Sequence, residues 1–169
     1  ATIPAFASSY IPKSSLITIE ITSGKIEDKA FYDFSTLKEI VIGKNVSSIG
    51  HDSFAFCSNI ESIKVSPENL KYHSVNNCII ETETNTLILG CKNSSIPNYV
   101  VSIGNSAFLG CTGLTSMQMP NSVTKIGGHA FYFCSSLTSI VIPDGVRSIE
   151  WMAFVGCKSL TSIVIGNGV

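Results

Sequence analysis

The sequence predicts an α/β solenoid, a stack of short coils with a parallel β-sheet on one face and short helical turns on the other. Two observations carry this. The segment Leu137-Thr138-Ser139-Ile140-Val141-Ile142-Pro143, followed by Val146, Ile149, Ala153-Phe154 and Cys157, recurs 23 residues earlier as Leu114, Met117, Met119-Pro120, Val123, Ile126, Ala130-Phe131 and Cys134, and starts again at Leu160. A fixed period of this size marks a repeat architecture, in which each unit buries its apolar side only by stacking on its neighbours. Within one unit, Ile140-Val141-Ile142 is β-branched and alternating, which reads as a short strand. Pro143-Asp144-Gly145 ends it. The Ala153-Phe154-x-x-Cys157 spacing then puts Ala153 and Cys157 on one face of a helical turn.

In chain order, residues 1–16 give no complete repeat, although Ile3-Pro4 and Ile11-Pro12 resemble the Ile-Pro step of the unit. A first coil from about Ile17 to Phe34 keeps the alternation Ile17-x-Ile19-x-Ile21, then Ile26 and Ala30-Phe31. A second is regular, with Leu37, Ile40, Ile42, Val46, Ile49, Ser53-Phe54 and Cys57, and a third opens with Ile60, Ile63 and Val65. The period then breaks: Phe54 and Phe108 are 54 residues apart, 31 more than one repeat. The added block, about residues 66–96, contains Cys78-Ile79-Ile80 and Leu87-Ile88-Leu89 around the polar Glu81–Thr86, which predicts a β-hairpin with a longer loop. The phase resumes at Ile96-Pro97 with Val100, Ile103, Ala107-Phe108 and Cys111, so the block continues the stack and residues 1–169 read as one solenoid domain. Phe131 is expected between neighbouring coils. The chain stops at Val169, in the slot of Val146, halfway through a coil. The reading is therefore of an array truncated at this point, whose strand Ile163–Ile165 either frays or pairs end to end with a neighbouring molecule through its open edge.

Composition excludes more than it assigns. With a net charge of −1 and 14% charged residues there is no electrostatic case for nucleic acid. No apolar run approaches the roughly 18 residues of a spanning helix, so no membrane insertion is expected. Of the six cysteines, Cys57, Cys111, Cys134 and Cys157 each follow an aligned Phe by three residues. A fixed repeat slot favours packing of small, soft side chains over a disulfide framework or a metal site, and the first coil places Phe34 there. No cofactor is expected. His51-Asp52-Ser53 sets three triad residue types side by side, but a catalytic relay needs convergence in space. His51, His73 and His129 fall in unrelated slots, against a metal centre.

These residues resemble the BspA-like leucine-rich repeats, whose unit reads Leu-x-x-Ile-x-Ile-Pro-x-x-Val-x-x-Ile-Gly-x-x-Ala-Phe-x-x-Cys. Leu137 to Cys157 match it closely, with Glu150 in the Gly slot. The inserted block also resembles an irregular unit of that family, through Asn69-x-x-Tyr72, Asn77-Cys78-Ile79-Ile80, Thr86-Leu87-Ile88 and Ile96-Pro97. The resemblance implies a right-handed superhelix. It also implies a cell-surface or secreted protein, bacterial for the most part, that adheres to or binds a protein of a host or a neighbouring cell.

The candidate contact residues are those alternating outward from the strands: Glu39 and Val41, Ser62 and Lys64, Ser116 and Gln118, Ser139 and Val141, Ser162 and Val164. They are expected to pave one continuous sheet face. A solvated face without a partner competes with this reading, and the Glu81–Thr86 loop is a second candidate. The favoured function is a non-enzymatic binding or adhesion scaffold. Alternatives are a spacer that projects another domain and a docking arm of a larger enzyme.

Overall fold

The computed structural model describes residues 2–5 and 7–169. Among the described residues thirteen strands follow one another: β1 (Thr2–Ile3), β2 (Thr18–Ile26), β3 (Glu39–Ile49), β4 (Ser62–Val65), β5 (Tyr72–Val75), β6 (Cys78–Glu81), β7 (Thr86–Leu89), β8 (Ser102–Ile103), β9 (Ser116–Met117), β10 (Lys125–Ile126), β11 (Ser139–Ile142), β12 (Ser148–Ile149) and β13 (Ser162–Ile165). They wind a parallel-strand solenoid of about seven turns.

A regular coil contributes two strands, where the sequence pattern suggested one. The Ile140 segment pairs in parallel with its neighbours, Ile140 opposite Met117 and Ile163. The Ile149 segment forms a second column, with Ser102-Ile103, Lys125-Ile126 and Ser148-Ile149 in register. β2 and β3 are long enough to run through both columns, with register irregularities after Ile21 and Gly24. The N-terminal stretch joins the second column too. Thr2 and Ile3 pair with Lys25 and Ile26, and the Ala7 amide donates to Ala30 O at 2.8 Å. Ile3 therefore stands in the slot of Ile26, and not at the Ile-Pro step that its proline suggested.

The expected helical turns are absent. Among the described residues the only helical element is a single 3-10 turn at Ala7–Ser9. The Ala-Phe-x-x-Cys segments are runs of β-turns, and each carries two residues at positive φ four positions apart: Lys29 and Asp33, Asp52 and Phe56, His129 and Phe133. An α-helix spends its amides on its own carbonyls. Here alternate amides face along the stack. Lys29, Phe31 and Asp33 donate to His51, Ser53 and Ala55 of the next coil, and His129, Phe131 and Phe133 donate to Trp151, Ala153 and Val155, all at 2.7–3.0 Å. A bulky residue at positive φ is costly, and the next coil accommodates it: a Cβ on Gly110 would lie 2.5 Å from the Phe56 ring, and one on Gly156 2.7 Å from that of Phe133.

Inside the coils the Phe column stacks. Phe31 lies 5.2 Å from Phe54, Phe108 5.1 Å from Phe131, and Phe131 5.3 Å from Phe154, all near parallel. The column breaks between Phe54 and Phe108, where the inserted block lies. That block is a three-stranded antiparallel meander, β5-β6-β7, whose last strand joins β8 in parallel. The hairpin expected from the sequence is its second half. All of Cys78-Ile79-Ile80 is buried because the strand separates two cores: Ile79 packs into the N-terminal one, Cys78 and Ile80 into the C-terminal one.

Phe131 is fully buried. Phe131→Ala should lower stability by about 3–5 kcal/mol through lost transfer energy and a residual cavity. Chemical denaturation would measure this, and a loss below about 1 kcal/mol, the scale of a surface change, would mean that the stack does not carry the fold.

Candidate binding surface

Of the ten outward residues, seven are exposed and Glu39, Val41 and Ser62 are half-buried, and they do not form one face. Glu39, Val41, Ser62 and Lys64 lie on the four-stranded sheet β1-β2-β3-β4, and the other six lie along the three-stranded sheet β9-β11-β13 or, for Gln118, just past the end of β9. The meander stands between them. It meets β4 through side chains: the Ser74 hydroxyl accepts the Val65 amide at 2.8 Å, and Asn77 Oδ1 accepts that of Ile63 at 3.2 Å. These contacts end the first sheet by satisfying its edge amides, as an exposed edge requires.

The two halves differ in chemistry. In the first, Lys64 Nζ sits 2.6 Å from Glu39 Oε1, so the two charges expected there pair with each other. Such an exposed pair contributes at most about 1 kcal/mol. Glu20 of β2, opposite Val41, extends this row. It belongs to the set, and the Ile19-x-Ile21 alternation was the signal for it. The second half is uncharged. Ser116, Ser139 and Ser162 form one row, and Val141 opposite Val164 forms the next. Val141 and Val164 are 56% and 55% exposed, a small apolar strip on an otherwise hydroxylated surface. A shallow hollow beside it is walled by Ser94 and Ser95 of the inserted block and by Gln118.

The Glu81–Thr86 connector is a tight turn, not a long loop. Glu81 and Thr86 pair, and Thr84 Oγ1 donates to Glu81 Oε2 at 2.8 Å. His51, Asp52 and Ser53 all border one hollow between coils. Ser53 is 3% exposed, while His51 faces solvent and its amide donates to Asp28 Oδ1. The cysteines are free thiols, five buried and Cys157 partly so. In the repeat slot they join coils: Cys57, Cys134 and Cys157 donate to the carbonyls of Phe31, Phe108 and Phe131 at 3.0, 3.2 and 3.1 Å.

Six copies of a model described as the BspA type leucine rich repeat region match residues 2–79 and 80–169. The chain belongs to this family. Among solved structures, this BspA-type chain is similar to a leucine-rich repeat protein from Eubacterium ventriosum, with 27% identity, a TM-score of 0.78, and coverage of 89% of this chain and 42% of that one. It is also similar to a leucine rich cell surface protein from Faecalibacterium prausnitzii, with 25% identity, a TM-score of 0.54, and coverage of 83% and 51%. A leucine rich repeat protein of T. pallidum, 23% identical with a TM-score of 0.54 and coverage of 88% and 69%, supports the fold alone. The chain thus spans about half or less of the first two proteins. A comparison with curated proteins gives no match. Proteins of the BspA type are generally scaffolds for protein interaction. Among the described residues no helix is long and apolar enough to cross a membrane.

Burial pushes the thiols of Cys57, Cys78 and Cys111 up from 9.0 to about 12, and raises Cys134 as well. The folded chain therefore keeps protons that the unfolded chain releases above about pH 9. Folding stability should be fully present below that pH and fall as pH rises towards 12, by at most about 1.4 kcal/mol per thiol per pH unit. Denaturant titrations on either side of pH 9 would measure the slope. Cys134→Ala should flatten it in part, and an unchanged slope would remove Cys134 as a contributor.

Proposed function

We propose that this chain is a non-enzymatic binding scaffold on a cell-surface or secreted protein, and that it adheres to a protein partner through the outward residues of β9, β11 and β13. The observation that carries this is the strip of Val141 and Val164, half exposed and in register on a rigid sheet, flanked by the serine row and Gln118. Parallel pairing holds these side chains in a fixed array, so little freedom is lost when a partner docks. Apolar groups ringed by hydroxyls are a usual form of contact patch. The Glu39–Lys64 half is its own partner electrostatically and is assigned a lesser part. The description of the Faecalibacterium prausnitzii neighbour as a cell surface protein supports the location. The same reading includes end-to-end self-association through β13, whose Ile163 and Ile165 are about half exposed.

Surface plasmon resonance against extracellular-matrix and bacterial-surface proteins tests the proposal. The doubly changed Gln118→Ala/Val141→Asp chain should weaken a specific interaction at least about tenfold, while Lys64→Glu changes it little. The opposite ranking would move the contact to the N-terminal sheet. An interaction indifferent to both would remove the strand faces from the site, and no interaction at all would favour the spacer role.

A further inference from the structure

The inserted block opens a cleft in the turn wall of the solenoid. In every complete step of the array, alternate turn amides of one coil donate to carbonyls of the next. Lys29, Phe31 and Asp33 reach His51, Ser53 and Ala55, while Ser106, Phe108 and Gly110 reach Gly128, Ala130 and Tyr132. In the second coil the same three slots are Asp52, Phe54 and Phe56. Phe56 alone keeps the pattern, donating to Leu109 O at 3.1 Å. The carbonyl that Phe54 would use, Ala107 O, is taken by the amide of Gly90 from the inserted block. The carbonyl of Ile49 loses its donor in the same way, because Gly104 N turns to Leu87 O. Between the parted walls lies a cavity of about 340 Å³. One wall is the Ile49–Ala55 turn, the other Ser102–Ser106, and the floor includes Ile88 and Leu89.

We propose that this cleft binds a short extended peptide of a partner protein, which adds its main chain to the interrupted ladder. The pattern on the second coil specifies that ligand. An acceptor at Ile49 followed by donors at Asp52 and Phe54 is what the main chain of the next coil satisfies elsewhere in the stack. A backbone with carbonyls two residues apart repeats this match, as in strand addition to a sheet edge. Charge does not select an anion. Lys125 at the rim is held 2.6 Å from Glu150 Oε1, and Asp52 adds a negative charge. The apolar floor accepts a small aliphatic side chain, and the volume is at the lower end for a ligand pocket. None of the outward residues of β9, β11 and β13 lines this cleft, so the two sites stand or fall separately.

The probe is an N-acetylated, C-amidated hexapeptide copying residues 103–108. Hydrogen exchange on the free protein comes first. The Asp52 and Phe54 amides should exchange at least about tenfold faster than those of Phe31 and Phe108, whose ladder is complete. Equal protection would overturn the proposal, since no donors would be open. Titration followed by ¹H-¹⁵N NMR should then give saturable shifts at Asp52 and Phe54. These should vanish in Ile88→Trp, where the larger side chain fills the floor, and persist in Ile88→Ala. Unmoved resonances in the wild-type chain, or the same shifts in Ile88→Trp, would refute a peptide site in this cleft.

Discussion

The structure depends on a ladder of main-chain hydrogen bonds that runs along the stack and not within any coil. Each coil is too small to bury a core, so its amides and carbonyls must find partners in the coils above and below. The strand segments do this in the ordinary way of a parallel sheet. The turn segments do it by holding Lys29, Asp33, Phe56, His129 and Phe133 at positive φ, which turns alternate amides along the stack. Local strain is thereby exchanged for satisfied donors in the neighbouring coil. The Phe and Cys columns complete the arrangement. The rings stack at 5.1–5.3 Å within each run, and the thiols donate to the carbonyls beside them.

The inserted block obeys the same constraint by other means. β6 replaces the Phe column with a buried strand whose alternate side chains serve two cores, so the apolar interior is continuous where the repeat is not. The edge amides of β4 are satisfied by Ser74 and Asn77, the edge of β3 by Asn69 and by the Tyr72 hydroxyl. Polar side chains thus stand where main chain stands elsewhere. At the Asp52–Phe54 turn neither substitute is supplied, and there the stack opens. A stabilising device and a recognition site differ here only in whether the next main chain belongs to the same molecule.

The block also divides the outer surface. An uninterrupted array would present one long column of strand residues with a graded character. This chain presents two short sheets, one with a self-neutralised ion pair and one with a bare apolar strip. In either half the outward positions can vary without disturbing the inward ones, because a strand separates the two sets by the alternation of its side chains.

Much of this was legible from periodicity. The 23-residue recurrence determined which residues are inward, the place of the Phe and Cys columns, and the phase on either side of the insertion. It did so because side-chain direction in a strand follows from position alone. The second strand column, the β-turns in place of helical ones, the slot of Ile3 and the split of the outward face were decided by tertiary structure. The Ala-Phe-x-x-Cys spacing suits a helix equally well, and the residues at positive φ include Lys, Phe and Met, which do not announce that conformation. Hydrogen bonds to a coil 23 residues away select it, and no local pattern contains them. The cleft is further still from the sequence, since the acceptor expected for the Phe54 amide is taken by a segment some forty residues downstream.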